Sequence, residues 1–426
     1  MNEHSTSLGV ALFSDGRRAT KSSNLLLKSN EFLPFRRRDV YDNCVMAFPL
    51  PSIPLYTLSL EELESSLREL GEPPYRAKQI MEWSYARDKR VVSWSGMTNL
   101  SAALRAKLEE QHPIALPEVV QVSGSKDTTQ KFLLRLNDNE LIETVLIPAS
   151  PALYGEESDR RTLCVSSQVG CAYACKFCAS GLDGWKRHLT ADEIVSQVLL
   201  AEKVSGERIN NLVFMGMGEP MANYANFMKA ITILNAPWGV GLGARKMTVS
   251  TSGLVPRIRE LADQPLQIRL AISLHGASDA VRSQIMPVNQ KYPLAELMDV
   301  CAYYCERKKQ MITFEYILIE GVNDDSSEAH LLVERARHLR AKINLIPYNT
   351  VEGLPWNRPS EPVQEEFLSI LRKGGIAATI RREKGHDIDA ACGQLRRKVS
   401  AQQKPHAEAR ELVAKTPLAD NRSSRA

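Results

Sequence analysis

The chain has 426 residues, 43% of them hydrophobic and 24% charged, with a formal net charge of +4. That length can bury a large catalytic core and a smaller domain, while the mild charge neither demands nor excludes a nucleic-acid partner. No run of about 18 apolar residues could span a bilayer, and the amino terminus lacks the order of a secretory signal, so no membrane partner and a cytoplasmic location are expected.

Eight cysteines in such a chain point to metal binding or thiol chemistry, because the cytosol keeps thiols reduced. Residues 1–45 mix short polar and basic pieces without sustained period, which predicts a flexible arm or an extension ahead of a true start at Met46. Residues 46–117 read as a small helical accessory domain. Ser59 and Glu62 form a capping box, Leu60, Leu63, Leu67 and Leu70 share a face, and Gly71 stops the helix. The segments "YRAKQIMEWSYAR" and "NLSAALRAKLEEQ" predict two more helices. Arg76, Lys78, Arg87, Lys89 and Arg90 lie on this region, and Arg381, Arg382, Lys384 and Arg396 to Lys398 near the other end. These clusters could track RNA phosphates, although a solvated charged face explains any one of them equally simply.

Residues 118–398 read as the core. "KFLLRLN" and "LIETVLIP" predict a hairpin. Six apolar or β-branched runs follow, "TLCVSS", "NNLVFMG", "KMTVSTS", "IRLAISLH", "ITFEYILI" and "KINLIPYN", separated by helical segments such as "TADEIVSQVLLAEKVSG" with its own capping box at Thr190 and Glu193. Strands alternating with helices imply a parallel sheet. Six units are too few for a closed eight-stranded barrel, so the expected class is α/β, a partial (βα)6 barrel open on one side for a large substrate. A last strand, "IAATIRRE", leads to "DIDAACGQLRRK", and residues 399–426 read as a disordered polar tail.

The segment "SSQVGCAYACKFCASG" places Cys171, Cys175 and Cys178 in a C-x3-C-x2-C spacing just past a strand's carboxyl end. Thiolates at this spacing select zinc, copper(I) or an iron-sulfur cluster. Structural zinc needs four closed ligands, for which Cys164 could be the fourth; a cubane with one iron lacking a protein ligand accounts for both count and spacing. At the ends of later strands stand Gly218 and Glu219 of "MGMGEP", Ser250, Ser273 with Leu274 and His275, and Asn349. Each alone could be a cap or turn residue. Cys44, Cys301 and Cys305 read as packing, whereas Cys392 sits beside Gly393 with Arg396, Arg397 and Lys398 close behind, a setting that favours thiolate.

The cysteine spacing, with Phe177 before the third cysteine, resembles the radical S-adenosylmethionine (SAM) superfamily. The resemblance implies a 4Fe-4S cluster on Cys171, Cys175 and Cys178 and a SAM bound at the open iron and cleaved to a 5'-deoxyadenosyl radical. Gly218 and Glu219 would hold its amino group, with Ser250, Ser273, Leu274, His275 and Asn349 against the rest. Together "RTLCVSSQVGCAYACKFCASG", "FMGMGEP", "VSTSG", "SLHG", "NLIPYN" and "DIDAACGQL" resemble the family that methylates carbon 2 of adenosine in 23S ribosomal RNA (peptidyl transferase centre) and transfer RNA (anticodon loop), over most of residues 55–398. That family's cycle implies two SAM per turnover. Cys392 is methylated first, its methyl carbon is activated by radical hydrogen removal and added to the base, and Cys164 takes the carbon 2 proton before forming a transient disulfide with Cys392. Glu143 matches a position described there as a proton acceptor and ranks below Cys164. A monomer reduced by an external electron donor such as flavodoxin is expected. Two readings stay open, a sister activity at carbon 8 of the same adenosine and a non-catalytic, zinc-stabilised RNA-binding protein.

Overall fold

The computed structural model describes residues 52–149, 158–381, 394–397 and 399. The extension 1–45, Cys392 and the tail beyond 399 lie outside these residues. Helix Leu60–Glu69 starts where its cap predicts: Ser59 Oγ accepts from the Glu62 N–H at 3.1 Å, and the Glu62 carboxylate accepts from the Ser59 N–H at 2.7 Å. It ends at Gly71, whose φ of +77° is left-handed. Leu63 and Leu67 are fully buried, worth about 1.5–3 kcal/mol each. Helices Tyr75–Tyr85 and Ala102–Gln111 follow.

These helices rest on helix Ala191–Ser205, where the Glu193 carboxylate accepts from the Thr190 N–H at 3.0 Å. The Thr57 hydroxyl donates to Asp192 at 3.1 Å, and Arg90 pairs with buried Glu202 at 2.5 Å. One apolar cluster runs from Leu55 through the sheet to Leu371 and beyond, so helical region and sheet share a core. The basic residues here are largely engaged. Arg76 pairs with Glu72 at 3.0 Å and Lys89 with Glu82 at 2.5 Å, while Arg87 lies 3.9 Å from Glu202.

The strands are β1 (Glu118–Gly124), β2 (Gln130–Arg135), β3 (Leu141–Pro148), β4 (Arg161–Cys164), β5 (Gln168–Gly170), β6 (Trp185–His188), β7 (Asn211–Phe214), β8 (Met247–Thr251), β9 (Arg269–Ser273), β10 (Thr313–Leu318), β11 (Lys342–Pro347) and β12 (Ala378–Ile380). Ten of them form one sheet in the order β1-β2-β3-β4-β7-β8-β9-β10-β11-β12. From β4 onward every pairing is parallel, with Cys164 beside Val213 and Ser250 beside Ala271. The six expected units, β4 and β7 to β11, are therefore present, with β12 added at the edge. Parallel strands bring all their carboxyl ends to one rim.

Two features differ from the expectation. The hairpin is a three-stranded antiparallel meander, because β1 also pairs with β2; β1 is mostly exposed and interrupted by a bulge between Val119 and Gln121, so it lacks the alternation that would announce a strand. The cysteine loop does not follow directly on β4. It springs from a separate antiparallel pair, β5 and β6, that closes its base. No helix among the described residues is long and apolar enough to cross a membrane.

Gly170 makes that base possible: its φ is +75°, and a Cβ there would lie 1.9 Å from the Gly184 carbonyl oxygen. Gly170→Ala is expected to lower stability by more than about 1 kcal/mol from the left-handed backbone alone, and to reduce the iron held after anaerobic reconstitution. Thermal melts and iron assays on the same sample check this; full iron with an unchanged Tm would show that the hairpin does not shape the loop.

Candidate active site

A dense polar network carries the chain from β4 to the cysteines. Ser166 Oγ donates to the Glu143 carbonyl at 2.6 Å and accepts from the Met217 N–H at 3.0 Å. Gln197 answers both backbone groups of Ser166, accepting from its N–H at 2.8 Å and donating to its carbonyl at 3.0 Å. Gln168 Oε1 accepts from the Glu219 N–H at 2.8 Å, and Asn223 donates to the carbonyls of Ser167 and Leu189. These buried groups pin the connector against the turn after β7. The glycines there serve that contact, since a Cβ on Gly218 would fall 2.4 Å from Gln168 Cβ and one on Gly216 would fall 2.6 Å from the Val165 carbonyl oxygen.

Beyond the connector, Cys171, Cys175 and Cys178 are each half-buried, and none of the six described cysteines is in a disulfide. The Cys171 N–H donates to Gly184 O at 3.0 Å, the Cys178 N–H to Cys175 O at 3.0 Å, and the Lys176 N–H to Ile285 O at 2.9 Å, which fastens the loop at three points. Among the described residues no group of three or more His, Cys, Asp or Glu gathers tightly enough for a single metal ion. The four cysteines of the zinc reading are thus not gathered as a tetrahedral ion requires, whereas a cubane, which binds each sulfur to a different iron, tolerates wider separation. Burial pushes the Cys171 thiol up to about 12 and the Cys175 thiol higher, so both are neutral until a cationic centre draws off their protons. The donor set fits a cluster.

The strand-end residues fall on the rim above the loop. Glu219 is buried, which raises its carboxyl pKa, and it is already solvated by protein: Oε2 accepts from the Ser252 N–H at 2.7 Å and hydroxyl at 2.8 Å, Oε1 from the Met221 N–H at 3.0 Å. Little acceptor capacity remains for an ammonium group. Ser250 Oγ and Ser273 Oγ lie 3.1 Å apart on adjacent strands. His275 has a φ of +58°, and its Nδ1 accepts from the Ile317 N–H at 3.0 Å, so the neutral ring carries its proton on Nε2. Burial, with the Arg282 charge, holds its pKa down to about 3. The ring meets Phe177 edge-on at 4.9 Å. The Leu274 N–H donates to Glu315 O at 3.0 Å, and Asn349 Oδ1 accepts from Arg358 at 2.5 Å.

A cleft of about 890 Å³ opens at this rim, and its walls bring together Cys164, Phe177, Cys178 and Asn349 with Met215, Tyr348 and Arg381. Cys164 is 6% exposed, and its carbonyl accepts from the Thr144 hydroxyl at 2.6 Å. Glu143 is not part of the wall. Its carboxylate pairs with Lys131 at 2.7 Å, both side chains within 1% of full burial, and accepts from the Arg396 N–H at 2.5 Å. Cys392 lies outside the described residues. Just past it, Gln394 donates to Thr350 O at 3.0 Å, Leu395 packs on Leu133 and Leu141, and Arg396 pairs with Asp183 at 2.7 Å.

Sequence reasoning missed Gln168, Gln197, Asn223, Ser252, Arg282 and Asn323. Gln168 and Ser252 stand inside motifs already recognised and could have been singled out there. The others are single polar residues in helical or loop segments, and nothing local announces their burial.

Comparison with known proteins accords with this geometry. The Radical SAM superfamily profile matches residues 165–332, and that of the ribosomal RNA large subunit methyltransferase N-terminal domain matches residues 53–114. The "Probable dual-specificity RNA methyltransferase RlmN" of Akkermansia muciniphila is 52% identical over 348 residues, 82% of this chain and 96% of that protein. The protein of the same name from Clostridium perfringens strain SM101 is 47% identical, over 80% of this chain and 95% of its own length. A crystal structure of a radical SAM methyltransferase from Sphaerobacter thermophilus superposes with a TM-score of 0.75 at 44% identity, covering 80% of this chain and 98% of that one. The chain belongs to the RlmN family of radical SAM RNA methyltransferases, enzymes that work with a 4Fe-4S cluster and SAM.

Proposed function

We propose that this RNA methyltransferase modifies carbon 2 of adenosine in 23S ribosomal RNA and in transfer RNA, with Cys392 as the methyl carrier. The observation that carries the reading is the single cleft walled by Cys164, by Phe177 and Cys178 of the cysteine loop, and by Asn349 at a strand end. The relatives' description as dual-specificity RNA methyltransferases supports two RNA classes. Carbon 2 of adenine is an electron-poor aryl carbon that cannot itself attack a sulfonium, so a radical route is required. Reaching it in structured RNA calls for extruding the base.

When bound, the cluster and SAM, reduced through an external donor such as flavodoxin, supply a transferable methyl group and a hydrogen-abstracting radical. Cysteines 171, 175 and 178 would hold the cluster, and Gly218, Glu219, Ser250, Ser273, Leu274, His275 and Asn349 would surround SAM. The near-saturated carboxylate of Glu219 favours a role in shaping this pocket through Ser252 as much as in direct contact. Cys392 would displace the methyl group from SAM by sulfur attack. Once that carbon is joined to the base, Cys164 would take the carbon 2 proton and then pair with Cys392 as product leaves, giving a disulfide that an external thiol resets. Two observations support Cys164 over Glu143 as the base: Cys164 lines the cleft, and the Glu143 carboxylate is held between Lys131 and the Arg396 N–H. Glu143 then serves as an anchor for the segment that follows Cys392.

Two substitutions and one product analysis test this. Cys392→Ala should bring methylation to background in a labelled-SAM assay, and retained activity would remove its carrier role. Cys164→Ala should slow turnover by about 10²–10⁴-fold, the usual loss of a general base, and accumulate an enzyme–RNA adduct on denaturing gels; normal turnover without adduct would exclude it. Nucleoside mass spectrometry of RNA treated with the wild-type enzyme should show 2-methyladenosine. Detecting 8-methyladenosine would instead establish the sister activity.

A further inference from the structure

Arg282 is fully buried and has no assigned role. It lies on the short helix Asp279–Ile285, beside the cysteine loop that bonds to Ile285. Its guanidinium donates to three neutral acceptors: Nε to Leu274 O at 3.0 Å, Nη1 to Asn289 Oδ1 at 2.7 Å and Nη2 to Ser252 O at 2.5 Å. Leu274 and Ser252 belong to the turns that follow β9 and β8, and Ser252 in turn holds Glu219. One side chain therefore ties two turns of the rim together.

The charge itself is not matched. Among the described residues no carboxylate forms an ion pair with Arg282; the acid in its network, Asp279, is reached only through Asn289, whose Nδ2 donates to Asp279 Oδ1 at 2.8 Å. Removing a cation from water costs several kcal/mol even after relaxation, and hydrogen bonds to neutral oxygens recover only part of that. An anion close by would offset the remainder. The Cys175 thiol lies within electrostatic reach, since the guanidinium favours its deprotonated form.

We propose that Arg282 is a positioning residue that also acts through its charge. Its fork sets the turns after β8 and β9, and its unmatched cation stabilises the reduced, thiolate-ligated cluster at Cys175. Reduction adds one electron from an external donor to a centre already carrying thiolate charge. A fixed cation behind one ligand favours that step, and its removal makes reduction harder. This rests on Cys175 being a cluster ligand, an assignment that iron analysis of the wild-type protein tests separately.

The test compares full-length Arg282→Met and Arg282→Lys with wild type after anaerobic reconstitution, using dithionite titration followed by electron paramagnetic resonance. Arg282→Met should reduce the one-electron equilibrium constant at least about tenfold, which places the midpoint 59 mV or more below wild type. Arg282→Lys keeps the charge but cannot span three acceptors, so its midpoint should match wild type while its KM for SAM rises. A Met variant with full iron and a wild-type midpoint would overturn the proposal. If the Met variant holds no iron, the Lys variant decides: iron and a wild-type midpoint in Lys support a requirement for charge, and loss of iron there too would reduce Arg282 to a purely structural residue. Wild-type protein without iron would sink the ligand assignment instead.

Discussion

The contact between the Val165–Gln168 connector and the Gly216–Glu219 turn is the constraint on which the rest of the site depends. The two segments run so close that neither Gly216 nor Gly218 has room for a Cβ, and Ser166 and Gln168 bond directly to the backbone of the opposing turn. One segment leads into the cysteine loop and the other carries Glu219. Fixing their separation fixes where the sulfurs stand relative to the strand-end rim. Because the network is buried and satisfied, a displacement of either segment would strand polar groups away from water, at about 1–3 kcal/mol for each.

Buried charge is distributed around this contact in three ways. Lys131 and Glu143 cancel one another inside the meander, and the remaining acceptor capacity of Glu143 takes the Arg396 N–H. Arg90 and Glu202 cancel at the junction of the helical region with helix Ala191–Ser205. Such pairs contribute little net stability over apolar packing, but losing one partner leaves a buried charge, so they define how segments must sit. Arg282 is built differently, with neutral acceptors on every donor group described, in the part of the fold that faces the cysteine loop.

The RNA-facing chemistry is less a matter of raw positive charge than composition suggests. Arg76, Lys89 and Arg90 are each paired with a carboxylate, and Arg396 with Arg397 meets Asp183 at the end of the cysteine loop. Near the carboxyl end, basic residues therefore hold the segment after Cys392 against the loop. Arg381, in the wall of the cleft, is the member of the sequence clusters best placed to meet a phosphate entering there.

The sequence by itself determined the strands and helices whose period is strong, the capped starts at Ser59 and Thr190, the three-cysteine spacing and the order of polar strand ends. Those signals are local, because a capping box, a hydrophobic alternation and a ligand spacing are each complete within a few residues. Exposed β1 and the short β5–β6 pair were not legible, since neither buries enough to impose a pattern. Tertiary structure alone decided that Cys164 reaches the cleft while Glu143, on the neighbouring strand, is consumed by Lys131 and Arg396. It also decided that the glycines of "MGMGEP" make room for Gln168, and that Arg282 lies unmatched behind Cys175. Each of these depends on which distant residue arrives to fill the space or share the hydrogen bond, and a linear sequence does not contain that distance.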